Sequence, residues 1–203
     1  AGDHLKSASD LNIPMVGVGL FYSHSYFSQR IDENGWQQEE YPSSRIEAMP
    51  IRQVLDGKGH PLIVAVGTGN HDVKLRIWQL NVGRVRLFLL DSDIEDNDQA
   101  DREMTRVLYG GGEAMRIRQE IVLGIGGYRA LRAMGIEPAV LHLNEGDCAF
   151  APLEALRLRM KEQDENYATA LENIRRRTVF TTHTPVDAGH DRFTPDLMKA
   201  NLG

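Results

Sequence analysis

The chain has 203 residues, enough for one α/β domain with a sizeable core, and its 41% apolar and 26% charged content is that of an ordinary globular protein. Its 23 basic and 29 acidic side chains leave a net charge of −6, which speaks against nucleic acid as a partner. Cys148 is the single cysteine, so no intrachain disulfide forms and a reducing cytoplasm is the expected setting; no apolar run reaches the ~18 residues of a membrane helix and no signal peptide is visible.

Residues 3–12 carry a weak apolar face from Leu5, Ala8 and Leu11, which predicts a short helix. Pro14 opens a strand, Met15–Leu20, whose Gly17 and Gly19 indicate close backbone approach. Residues 21–50 read as irregular: Phe21, Tyr22, Tyr26, Phe27, Trp36 and Tyr41 are interleaved with polar side chains, a pattern that stacks on sugars or covers a sheet edge. Residues 62–91 read as all-β. Leu62–Val66 forms one strand, Lys74–Leu80 alternates polar and apolar, Asn81-Val82-Gly83 turns the chain, and Val85, Leu87 and Leu89 return in alternation as an antiparallel hairpin. Asp91, Asp93, Glu95, Asp96 and Asp98 follow. Counted from Asp91, the Gly and Glu of a calcium loop are replaced by Asp96 and Arg102, so a solvated acidic loop leading into a helix is expected.

A helix is predicted over 98–109, a break at Gly110-Gly111-Gly112, and the longest helix over 113–134, with Ile117, Ile121, Ile125, Tyr128 and Leu131 on one face. Gly124, Gly126 and Gly127 lie inside it. Arg129 stands where a dinucleotide loop has its third glycine and no strand precedes, so these glycines read as close packing. Gly135 caps the helix. A strand over 138–143, a helix over 148–163 with Leu153, Leu156 and Met160 inward, a helix over 166–176 and a strand over 178–182 complete an αβααβα order with the final helix at Thr194-Pro195-Asp196. That order favours a mainly parallel sheet covered by helices, with the hairpin as an antiparallel addition. Ala1 enters a helical pattern almost at once and the last helix has run barely two turns at Gly203, which reads as a piece of a larger protein.

Two strand ends concentrate the chemistry. Asn144-Glu145-Gly146-Asp147 closes one strand and His183-Thr184-Pro185 follows the other. Parallel strands bring such ends to one edge, where ligands of α/β sheets bind. His183 either donates a hydrogen bond or proton to a ligand, or bonds neighbouring backbone and shapes the loop. Asn144, Glu145 and Asp147 either face a ligand or cap the next helix, Asp147 being placed for an N-cap. His190-Asp191-Arg192 reads equally as a catalytic group or an Asx-type turn. A metal set from His142, Glu145, Asp147, His183, His190 and Asp191 has no HExxH motif, no paired His on a helix face and no Cys pair, so no metal is expected. No nucleophile elbow surrounds any serine, and Cys148 beside Ala149 and Phe150 reads as core.

Four stretches carry a resemblance. They are Ala1–Leu11; Tyr26-Phe27-Ser28-Gln29 with Gly35-Trp36-Gln37-Gln38-Glu39; Val107-Leu108-Tyr109 with Arg116-Ile117-Arg118-Gln119-Glu120; and Leu141–Gly146 with Phe180–Val186 and Gly189–Phe193. In this order they resemble the N-terminal domain of the α-glucan (glycogen or maltodextrin) phosphorylases in their shorter bacterial form. The resemblance implies a three-layer Rossmann-like domain of the two-domain glycosyltransferase-B type. Residues 1–203 would be part of that one N-terminal domain, with a glycine loop upstream and a cofactor domain downstream. It implies phosphorolysis of a terminal α-1,4 bond to glucose 1-phosphate, and an allosteric, cytoplasmic enzyme family of carbohydrate metabolism. Its partners would be α-1,4-glucan and inorganic phosphate, with neither nucleic acid nor membrane, and homo-oligomers are compatible with it. Pyridoxal phosphate would be the cofactor, held by a lysine outside this chain. Carried over by motif, His183 and Asp147 would be catalytic, and Arg116, Asn144, Glu145 and His183 would bind substrate; no residue here would bind cofactor or metal. Asp147 departs from the family's His, and the gate Gly110-Gly111-Gly112-Glu113 has no Asn or Asp for a sugar contact. Another glycosyltransferase-B enzyme, such as a glycogen synthase relative, and a non-catalytic sugar-binding module are the alternatives. The 203 residues by themselves are expected to be inactive and to expose apolar surface.

Overall fold

The computed structural model describes residues 2–24, 28–40, 46–108, 111–187 and 190–202. The expectations that fall on Ala1, Tyr26, Phe27, Tyr41, Tyr109, Gly110, Gly189 and Gly203 lie outside them. The helix at the start is α1 (Gly2–Asp10), and the strand after Pro14 is β1 (Val16–Leu20). The supposedly irregular stretch contains a hairpin, β2 (Ser28–Ile31) and β3 (Gln37–Glu40), with every strand residue exposed and Trp36 at its turn 73% exposed. Asp32 builds the turn, accepting the Asn34 and Trp36 amides at 2.9 Å each. Strands of Ser, Gln, Arg and Glu have no apolar alternation to betray them.

The main sheet is organised on β6 (His71–Val82). β4 (Ile51–Gln53) and β5 (Ile63–Thr68) pair antiparallel along one edge of it, and β7 (Val85–Asp91) returns antiparallel along the other through Gly83, φ +59°, and Arg84. β1 adds to β7 in parallel. This corrects the expectation of a mainly parallel sheet: of these four pairings only β1–β7 is parallel. The two strands that carry the polar ends, β8 (Leu141–Asn144) and β9 (Thr178–Thr181), pair in parallel as a separate two-stranded sheet. A strand's alternation records which faces are buried and says nothing of which strand lies beside it. The protein is α/β with mixed sheets, as expected at the coarser level.

The predicted helix over 98–109 is only α2 (Gln99–Arg102). Asp98 caps it, accepting the Asp101 amide at 2.9 Å. Beyond it the Thr105 and Arg106 carbonyls accept the Ser23 and His24 amides at 3.3 and 2.9 Å, which pulls the chain out of helical form. The acidic loop is ion-paired as well as solvated. Asp91, 2% exposed, accepts from Arg76 Nε at 2.7 Å and Trp78 Nε1 at 2.9 Å, Arg102 Nε donates to Asp93 at 2.7 Å, and Lys74 Nζ donates to Asp96 at 2.7 Å.

The long predicted helix forms as one rod in three parts: α3 (Gly112–Ile121), a π-helical stretch (Val122–Gly126) and α4 (Gly127–Ala133). Ile117, Ile121, Val122, Ala130 and Leu131 press into the sheet face made by Val66, Val73, Leu75, Ile77, Phe88 and Leu90. α1 lies against the opposite face, with Leu5 beside Gly17 and Leu87. The rod's glycines are where it approaches its neighbours, as their sequence pattern predicts. A Cβ on Gly126 would sit 2.7 Å from Leu75 Cδ1, and one on Gly124 would sit 2.7 Å from the Ala151 amide. α5 (Ala151–Glu162) and α6 (Tyr167–Arg175) join β8 to β9, and α7 (Pro195–Leu202) packs on α3 and β5. α5 buries Glu154 and Ala155, whereas Leu153 and Met160 of its expected inner face are exposed. Arg129 and Arg157 make the difference by donating to the enclosed Glu154 carboxylate at 2.7–2.8 Å. Among the described residues no helix is long and apolar enough to cross a membrane.

Gly124→Ala forces a methyl against the backbone of Ala151 and Phe150, which cannot rotate aside. The variant is expected to lose about 1–3 kcal/mol in urea unfolding; wild-type stability in that variant would show that the contact between rod and α5 yields.

Candidate functional site: the paired strand ends

The αα crossover through α5 and α6 lets β8 and β9 run parallel, with Asn144 opposite Thr181. The Glu145 amide extends the ladder by donating to the Thr181 carbonyl at 2.9 Å. The two polar ends therefore meet. Glu145 Oε1 accepts the His183 amide at 2.6 Å and the Thr184 amide at 2.8 Å, and His183 Nε2 donates to Asn144 Oδ1 at 3.2 Å. The His183 ring is largely exposed, with Nδ1 3.6 Å from Glu145 Oε1. Glu145 itself is 7% exposed, and its Oε2 is enclosed. The His183 amide, then burial working against it and Thr184 with it, hold this carboxyl down at about 2.

Helix α3 reaches the same place through Arg116. Its Nη2 donates to Asp147 Oδ1 at 2.7 Å and to Asp191 Oδ2 at 2.6 Å, and lies 3.9 Å from Glu120 Oε1. Arg116 thus ties the rod to both loops that follow the strands. Asp147 lies in the single turn Gly146–Cys148 with its charge met by Arg116. Glu120 is 5% exposed, and its carboxyl is pushed up to about 8, first by burial and then by Asp191. Sequence reasoning missed Glu120; the signal was its position four residues after Arg116, on the same helix face. It also missed the buried Gln119, which donates to the Met104 carbonyl at 2.8 Å and steadies the turns before the gate.

The other candidates take structural partners. His142 bonds Thr181 Oγ1 at 2.7 Å and lies edge-on to the His4 ring at 5.4 Å. His190 Nε2 donates to the Thr184 carbonyl at 3.1 Å, bracing the loop, and Asp191 is spent on Arg116. Cys148 is half-buried, its thiol pushed up by burial. Of the supposed metal set, Asp147 and Asp191 come within 4.8 Å of Glu120, and Arg116 already supplies the cation among these three carboxylates.

A ring nitrogen, a carboxamide and carboxylates gathered at the carboxyl ends of two parallel strands define an α/β protein with its polar groups at the strand edge where ligands of such sheets bind. No family model matches the chain. It is 49% identical to the maltodextrin phosphorylase of Thermococcus litoralis over 193 residues, 95% of this chain and 23% of that protein. It is 47% identical to the glycogen phosphorylase of Mycobacterium tuberculosis over 205 residues, 98% of this chain and 24% of that one. Against the glycogen phosphorylase of Aquifex aeolicus the identity is 37% over 186 residues, 92% of this chain and 27% of the relative. The chain belongs to the α-glucan phosphorylase family, and it spans about a quarter of the length of the curated relatives it matches.

Glu120 gives the folded chain a pH dependence. From about 4.5 to about 8 the fold keeps a proton that the unfolded chain has released, so stability falls as pH rises through this window and levels off above it. In urea titrations Glu120→Gln is expected to flatten this fall by up to about 1.4 kcal/mol per pH unit. Equal slopes for variant and wild type would refute the assignment.

Proposed function

We propose that this chain is part of the N-terminal domain of an α-1,4-glucan phosphorylase of glycosyltransferase-B architecture, and that its strand ends form one wall of the glucan cleft. The observation that carries this reading is the meeting of the two family motifs in space: Asn144 and Glu145 bond the ring and the backbone of His183. His183, with its ring largely exposed at the rim, presents a hydrogen-bonding group to the terminal glucosyl unit. Asn144 orients that ring, Glu145 lies enclosed behind it, and Arg116 and Asp147 stand paired beside it. In this reading Asp147 takes the place of a neutral or cationic group, and its pairing with Arg116 keeps its charge from repelling inorganic phosphate. Pyridoxal phosphate, which supplies the phosphate that relays the proton in this reaction, is assigned to the remainder of the parent protein, and none of the residues here is proposed to hold it. The exposed Val179 and Phe180 on β9 accord with further protein packing there.

Incubated with maltodextrin and inorganic phosphate, the protein carrying this sequence at the length of its relatives is expected to release glucose 1-phosphate. The 203-residue chain is expected to release none. In the longer protein His183→Ala should lower kcat roughly tenfold or more, the loss of one hydrogen bond that tightens in the transition state. No phosphate-dependent product from the longer protein would overturn the proposal.

A further inference from the structure

We propose that Glu145 is a positioning residue, which acts by fixing the peptide that carries His183 and makes no contact with the ligand itself. This rests on the role given to His183 above. β9 ends at Thr181, and Pro185 has no N–H, so His183 and Thr184 are the last two amide donors before the chain turns away. Both are taken by one oxygen, Glu145 Oε1, at 2.6 and 2.8 Å. The carboxyl that takes them is held down at about 2 by these amides, so it is ionised at neutral pH and these are charge-assisted bonds.

The backbone adds an independent observation. Glu145 has φ +63° and ψ −172°, a conformation that belongs to glycine. The other described non-glycine residues with positive φ are Asn12 and Asp164, short polar types that tolerate it. A glycine at 145 would remove this strain. The strained glutamate holds because its own amide is locked to the Thr181 carbonyl at 2.9 Å while its side chain bridges to the next peptide. The residue staples the end of β8 to the loop after β9 from both its main chain and its side chain. His183 has its side chain 60% exposed, so packing holds its ring only in part. Its aim is set by the peptide under it and by Asn144 Oδ1, and Glu145 sets the peptide.

The test has two arms. In the 203-residue chain, amide hydrogen exchange at His183 and Thr184 is expected to quicken at least tenfold in both Glu145→Gly and Glu145→Ala, while the Leu75 amide of the main sheet stays protected. Glu145→Gln, which keeps an acceptor, is expected to restore most of the protection. Unchanged exchange in the Gly variant would overturn the proposal. In the longer protein, kcat of Glu145→Gly is expected to fall about tenfold with KM for maltodextrin changed less than twofold. The double variant with His183→Ala should be no more than twofold worse than His183→Ala alone, because the two residues act as one unit. Multiplying losses would show direct ligand contact and sink the idea. Should the longer protein show no phosphorolysis, the functional reading fails by itself, and the exchange arm still decides whether Glu145 fixes the His183 peptide.

Discussion

Two parallel strands have both carboxyl ends on one edge, and the meeting of the two polar ends follows from the in-register pairing of β8 with β9. The pairing sets Asn144 across from Thr181, which puts the next residue, Glu145, within bonding reach of the amides of His183 and Thr184. A slip of one residue would turn every side chain of the strand to the other face and separate these groups. The crossover helices α5 and α6 make the parallel arrangement possible, and α5 is anchored through the enclosed Glu154, which receives Arg129 from the rod. The crossover is thus held by an ion pair whose carboxylate is enclosed, while the His183 ring stays near solvent.

Charge is gathered beside the strand ends. Three carboxylates, Glu120, Asp147 and Asp191, converge on one guanidinium. Glu120 is the buried one of the three, and burial with Asp191 beside it favours its protonated form. The arrangement ties α3 to both strand-end loops. Asp147 is absorbed into this cluster through Arg116.

The rod formed by α3, the π-helical stretch and α4 connects the main sheet to the strand-end sheet. Its glycines set the distances: Gly126 and Gly127 admit the side chains of Leu75, Val66 and Val18, and Gly124 admits the backbone at the start of α5. The widened π turn falls where both approaches occur, over Val122–Gly126.

The sequence by itself determined the local pieces. The hairpin of β6 and β7 was legible from strict alternation and Gly83, the rod from its isoleucine spacing, its glycines as packing sites, and the two polar strand ends from abrupt changes of composition. These are short-range properties, and local sterics and burial dictate them. The tertiary structure alone decided which strands pair, so that a sheet expected to be mainly parallel is mostly antiparallel and the strands with the polar ends stand apart from it. It alone ended the helix at Arg102, where the amides of distant Ser23 and His24 claim the next carbonyls. It alone gathered Glu120 and Asp191 onto Arg116 and drove Glu145 into a glycine conformation. Each of these depends on partners tens of residues away, and the pattern of one segment holds no record of what the fold sets beside it.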